Sequence, residues 1–156
     1  MSQYRKICCP VDFSEASRLA MHEAADLARR LGAELVLVHV THPVSAPGAE
    51  PVLAPPARHG EEDPDAPQLL TAWAREAEAL AGRAVQTRLA SGRAGPEILR
   101  YAREGRFDLL VVGSHGRTGF KHLVLGSVAE ALVRGAPCPV LVVRPSDARP
   151  GAAEAD

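Results

Sequence analysis

The sequence predicts an α/β protein: a five-stranded parallel sheet with helices on both faces. Three observations carry that reading. Short β-branched apolar runs alternate with amphipathic stretches along the whole chain. The glycine-rich stretch Val112-Gly113-Ser114-His115-Gly116-Arg117-Thr118-Gly119 directly follows one such run, and Gly126-Ser127 directly precedes the next helical pattern. The length of 156 residues, 46% of them apolar and 24% charged, suffices for one domain with a full core and no covalent staples.

Each element has its own signals. Lys6-Ile7-Cys8-Cys9-Pro10-Val11 reads as the first strand, with Pro10 near its end. Ser14 is a helix cap with Glu15 in the first turn. Ala20, Ala24, Leu27 and Leu31 fall on one face of that helix, and Gly32 stops it. Glu34 to Val40 is a second strand. Gln68 to Leu80 is a second helix ending at Gly82, and Val85 to Leu89 a third strand. Gly95-Pro96-Glu97 opens a third helix that runs to about Gly105, with Pro96 suited to its first position. Leu109 to Val112 is the fourth strand, Val128 to Arg134 a helix stopped by Gly135, and Val140 to Val143 the fifth strand. Strands separated by helices in this way pair in parallel through right-handed crossovers.

One stretch interrupts the alternation. Pro43, Pro47, Pro51, Pro55, Pro56, Pro64 and Pro67 make residues 43–67 a long loop, either a tolerated insertion or a lid or partner-binding segment. The expected organisation is a single domain over 1–146 carrying this loop, and a polar, disordered tail over 147–156.

Composition excludes several function classes. A net charge of −1 gives no footprint for nucleic acid or an anionic membrane. No apolar run is long enough to cross a bilayer, and the first ten residues lack the apolar core of a signal peptide, so the expected location is the cytoplasm. Cys8, Cys9 and Cys138 are odd in number and lack CxxC spacing, which argues against a disulfide framework or a zinc site. Cys8 and Cys9 are neighbours on a strand, so they should point to opposite faces as small buried hydrophobes.

The chemistry concentrates in Gly113-x-x-Gly116-(nine residues)-Gly126-Ser127. Glycines where a strand ends let backbone amides approach an anion, and a helix start offers unpaired donors and a favourable dipole. In an open parallel sheet, ligands bind beyond the carboxyl ends of the strands where the order reverses. If the first and fourth strands are neighbours, Asp12 and Gly113 face one crevice there. Asp12 is then either a ribose or metal partner, or a turn residue beside Ser14. Arg117 and Lys121 can meet phosphate charge or remain solvated cations. Ser127 can donate to phosphate, cap its helix, or both. His115 is an acid–base group near phosphate or simply a polar loop residue.

Other sites are excluded. No Gly-Lys pair exists for a P-loop, and Asp12-Phe13-Ser14 follows the first strand where a dinucleotide fingerprint needs GxGxxG. His22-Glu23-Ala24-Ala25-Asp26 has Asp where the zinc motif HExxH needs its second His, and His39 and His42 make a poor metal pair. Gly113-Ser114-His115-Gly116 is not the GxSxG nucleophile elbow, and no catalytic constellation can be assembled.

Taken together, the pieces resemble the ATP-binding type of the universal stress protein family. They are Ile7-Cys8-Cys9-Pro10-Val11-Asp12-Phe13-Ser14, Leu37-Val38-His39-Val40, the glycine motif through Ser127, and Pro137-Cys138-Pro139-Val140-Leu141-Val142-Val143. The resemblance covers nearly the whole chain except the proline-rich loop and the tail. It implies strand order 3-2-1-4-5, a Rossmann-like nucleotide-binding fold, and usually a homodimer. It implies ATP between the first and fourth strands; AMP in its place, and a Mg ion reached by Asp12 through the nucleotide, stay open as alternatives. By position, Pro10, Asp12 and Val40 would line the adenosine end. Gly113, Ser114, His115, Gly116, Arg117, Thr118 and Gly119 would wrap the ribose and phosphates, and Gly126, Ser127 and Val128 would close on the phosphates.

The resulting expectation is a nucleotide-binding stress-response protein that works through conformation and an unknown protein partner, with at most slow ATP hydrolysis. A nucleotide hydrolase or adenylyl-transfer enzyme on the same sheet, and an interaction module with a vestigial site, are the alternatives. The apolar fifth strand, an edge in this order and without a guarding charge, is expected to pair two copies through Val140, Leu141, Val142 and Val143.

Overall fold

Five parallel strands form one sheet: β1 (Lys6–Pro10), β2 (Glu34–Thr41), β3 (Gln86–Ser91), β4 (Leu109–Gly113) and β5 (Val140–Val143). Their order is β3-β2-β1-β4-β5, as expected. The computed structural model describes residues 3–43, 63–115 and 125–145. Helices α1 (Glu15–Leu31) and α2 (Ala66–Ala81) cover one face, α3 (Ala94–Glu104) and α4 (Ser127–Gly135) the other.

Strand alternation divides the core in two. Ile7, Cys9, Leu35, Leu37, Leu109 and Val111 pack under α1 and α2. Cys8, Val36, Val38, Leu110 and Val112 pack under α3 and α4. These central strands are buried on both sides, which is why they read as continuous apolar runs. Helix α1 meets the sheet through alanines: Ala16, Ala20, Ala24, Ala25 and Ala28 are all buried, while Leu27 and Leu31 flank the contact half-buried. Small side chains let the helix axis approach the strands closely. Ser14 caps α1 as expected, its Oγ accepting the Ser17 N–H at 3.2 Å.

Several boundaries differ from expectation for local reasons. β1 ends at Pro10 rather than Val11. α2 begins at Ala66, so the proline-rich loop stops short of residue 67, and Pro67 sits in the first helical turn where its missing N–H costs nothing. β3 starts one residue late because the Val85 N–H goes to Glu78 Oε1 at 3.1 Å, and it then continues to Ser91. α3 starts at Ala94, one residue before Gly95. Residues 44–62 of the loop and the tail from Ser146 lie outside the described residues.

At the amino ends of the strands, Asp108 clips β1 to β4. Its Oδ2 accepts the N–H groups of Arg5 at 2.9 Å and Lys6 at 3.0 Å, and its own N–H donates to the Lys6 carbonyl at 2.9 Å. This end of the β1/β4 seam is therefore closed.

Cys8 and Cys9 are fully buried on opposite faces, and both thiols are free. Burial pushes both thiols well above the ordinary value of 9.0, with Cys9 and Cys138 adding to the effect on Cys8. Folding therefore holds two protons that the unfolded chain sheds near pH 9. Their contribution is intact below that pH and is lost as pH rises toward the folded values. Stability should fall above pH 9 by up to about 1.4 kcal/mol per pH unit for each thiol. Urea titrations at pH 8 to 10.5 check this: Cys9→Val should show a shallower decline than the native chain, and identical slopes would refute the assignment.

Candidate functional site

At their carboxyl ends β1 and β4 separate, and the cause is one residue. The two strands are in register only at Ile7 with Leu109 and Cys8 with Leu110. On the other side, β1 stays paired to β2 through Pro10 with Val38, and the Val11 N–H donates to the Val38 carbonyl at 2.8 Å. Amides alternate in direction along a strand, so the amide of Val11 faces β2 and the nitrogen of Pro10 faces β4. Pro10 has no proton to give there. The ladder to β4 stops while the ladder to β2 continues, which leaves the carboxyl end of the β1/β4 seam unpaired at the point where strand order reverses, the crevice position of an open parallel sheet. This is the position at which such sheets bind ligands.

On the α3/α4 face of this crevice stand Pro10, which shares the alternation of Cys8, and Val40, half-buried against that core. Val112 comes from β4 on the same face. The structure thus brings together the ends of β1, β2 and β4, as the sequence reading required.

The Val11–Ser14 turn follows β1. Asp12 Oδ1 accepts the Ser14 N–H at 3.0 Å, and the Asp12 N–H donates to Ser17 Oγ at 3.2 Å. The carboxylate therefore serves the turn through one oxygen, and Oδ2 has no donor among the described residues. Both readings of Asp12 survive in one side chain. Between them Phe13 takes φ = 64°, a left-handed conformation that costs a bulky residue on the order of 1–2 kcal/mol. Its ring is held against His39 at 4.4 Å and Trp73 at 5.3 Å between centroids. Sequence reasoning gave no warning of this conformation.

After β4 the chain is tied down by its backbone. The Ser114 N–H donates to the Val143 carbonyl at 3.0 Å, and the Ser114 carbonyl accepts the Gly126 N–H at 2.6 Å. These two bonds correct the simplest view of the motif: the amides of Ser114 and Gly126 are spent on holding the loop's ends together. Ser114 is buried, and its Oγ lies 2.9 Å from His115 Nδ1. Gly113 is explained by packing. A Cβ there would lie 2.8 Å from the carbonyl carbon and oxygen of Ala16 and 3.1 Å from the nitrogen of Ser17. The start of α1 rests directly on the glycine.

Gly126 is the N-cap of α4, so Ser127 is the first helical residue and does not cap, contrary to one expectation. Ser127 is exposed and Val128 half-buried against the α3/α4 core. The first-turn amides after Gly126 have no acceptor within the helix. Gly116, Arg117, Thr118, Gly119 and Lys121 lie outside the described residues. Among the described residues no cluster of His, Cys, Asp or Glu is suited to a metal, and no helix is long and apolar enough to cross a membrane. His39 donates through Nδ1 to the Val11 carbonyl at 2.7 Å, which accounts for it without a metal.

Comparison with known proteins agrees with this architecture. The sequence model described as the universal stress protein family matches residues 3–144. A universal stress protein of Methanocaldococcus jannaschii is 32% identical over 150 residues, covering 90% of this chain and 82% of that protein. The solved structure of the universal stress protein UspA from Lactobacillus plantarum superposes with a TM-score of 0.77 at 27% identity, covering 92% of this chain and all of that one. The structure of a family member from Arabidopsis thaliana, described with AMP bound, shares the fold at a TM-score of 0.64 and 20% identity, covering 95% and 97% of the two chains.

Proposed function

Because the chain belongs to the universal stress protein family, we propose that it binds an adenine nucleotide in the β1/β4 crevice and acts in stress signalling through conformation and protein partners. The observation that carries this is the early end of the β1–β4 ladder before Pro10, at the carboxyl end of a sheet whose one face α4 covers. Pro10, Asp12 and Val40 take the adenosine end. Gly113, Ser114 and the stretch to Gly119 surround the ribose and phosphates, while Gly126, Ser127 and Val128 close on the phosphates. The AMP described in the Arabidopsis relative supports the ligand class. ATP is the nucleotide we assign; where Mg accompanies it, Asp12 is the carboxylate that would hold the ion and help neutralise phosphate charge. The cytoplasm is the location we assign.

The arrangement favours binding over turnover. Asp12 is half committed to its turn, and Ser114 is buried with its hydroxyl on His115. The Ser114 hydroxyl has an imidazole in reach, but its burial withholds it from a substrate, and Asp12 has no base beside it among the described residues. Titration calorimetry with ATP and AMP, with and without Mg, should show saturable binding at one site per chain. Steady-state turnover should stay far below the ~10 s⁻¹ typical of enzymes. No binding at millimolar nucleotide would refute the reading, and turnover near that rate would favour the hydrolase.

A homodimer fits the outer edge of the sheet. Among the described residues β5 pairs only with β4, and Leu141 is 36% exposed there. An apolar edge of this kind is a template for a second copy. Light scattering across a dilution series should give the mass of two chains at micromolar concentration, and a strictly monomeric mass with and without ATP would exclude the dimer.

A further inference from the structure

The Val11–Ser14 turn carries Asp12 into the crevice, yet its central residue holds an unfavourable backbone conformation. Something must hold the turn in place. Its support comes from the opposite face of the sheet. His39, on β2, donates from Nδ1 to the Val11 carbonyl at 2.7 Å, and its ring lies against that of Phe13. Trp73 of α2 meets Phe13 edge-on from the other side. One imidazole thus fixes both the start of the turn, through a hydrogen bond, and its strained centre, through packing.

We propose that His39 is a positioning residue for the nucleotide site: it sets the Val11–Ser14 turn from behind and so places the second carboxylate oxygen of Asp12 toward the ligand. This rests on the nucleotide reading above. His39 does not itself touch the crevice face, because the alternation of β2 puts Val38 and Val40 there and His39 on the α1/α2 side. Its action runs through Val11 and Phe13 to the Asp12–Ser14 hydrogen bond.

Two substitutions separate the donor from the ring. His39→Phe keeps an aromatic ring against Phe13 and removes the donor. His39→Asn removes the ring and keeps an N–H donor at the δ position. ATP affinity should fall about tenfold in His39→Phe, the scale of one lost hydrogen bond, and return to within about threefold of native in His39→Asn. Hydrogen exchange of the Ser14 amide, measured without nucleotide, should accelerate in His39→Phe and recover in His39→Asn. Native affinity in His39→Phe, or lost affinity with unchanged Ser14 exchange, would overturn the role while leaving the nucleotide reading standing. Failure of the native chain to bind ATP would overturn both.

Discussion

Replacing Gly113 with alanine is expected to lower stability by about 3 kcal/mol, the upper range for forcing one extra carbon into a packed site. The added Cβ would lie 2.8 Å from the backbone of Ala16, and backbone cannot swing aside as a flexible side chain can. Relief requires α1 to move away from β4. That movement would pull Ser17 off the Asp12 amide and loosen the alanine-lined contact along the helix. Urea denaturation followed by far-ultraviolet circular dichroism measures the effect, and an unchanged midpoint would show that the contact is soft. The expected result also disciplines the reading of the motif. A Gly113 variant that loses nucleotide binding would say nothing about phosphate, because its primary lesion is the seat of α1.

The contrast shows what the sequence made legible. The alternation of apolar runs and amphipathic stretches was enough for five strands and four helices, and the resemblance carried by Ile7–Ser14, Leu37–Val40, the glycine motif and Pro137–Val143 supplied their order. The opposite burial of Cys8 and Cys9 followed from strand periodicity alone. The Ser14 cap was equally local. What stayed hidden depends on contacts between residues distant in the chain. Gly113 against Ala16, Asp108 against Arg5, and His39 against Val11 have no periodic or turn signature. The left-handed Phe13 is hidden for a related reason: local propensity argues against it, and contacts with Trp73, His39 and the core from other elements hold it there. The cap reading of Ser127 fails because Gly and Ser are both acceptable caps, and only the dihedral angles decide which one stands there. Pro10 was seen near the end of the strand. Its consequence for the β1/β4 seam needed the amide directions on both sides of β1.

Gly126→Val should cost the nucleotide site far more than it costs the fold. Gly126 sits at φ = −71° and ψ = 165°, an extended conformation open to any residue. Its two backbone bonds, from its N–H to Ser114 and from the Glu130 N–H to its carbonyl, need no particular side chain. Valine is a poorer N-cap than glycine, so a stability loss of about 1 kcal/mol is expected. Conformation does not require a glycine here, as packing requires one at Gly113. What remains is close approach: a bare Cα at the head of α4 lets an anion reach the first-turn amides, and a branched side chain would stand in its path. ATP affinity should therefore fall by at least about 100-fold, equivalent to about 2.7 kcal/mol, in a variant that still unfolds cooperatively. Calorimetry decides it. A folded Gly126→Val chain with native ATP affinity would remove the phosphates from the head of α4 and leave the β1/β4 crevice without its assigned anion site.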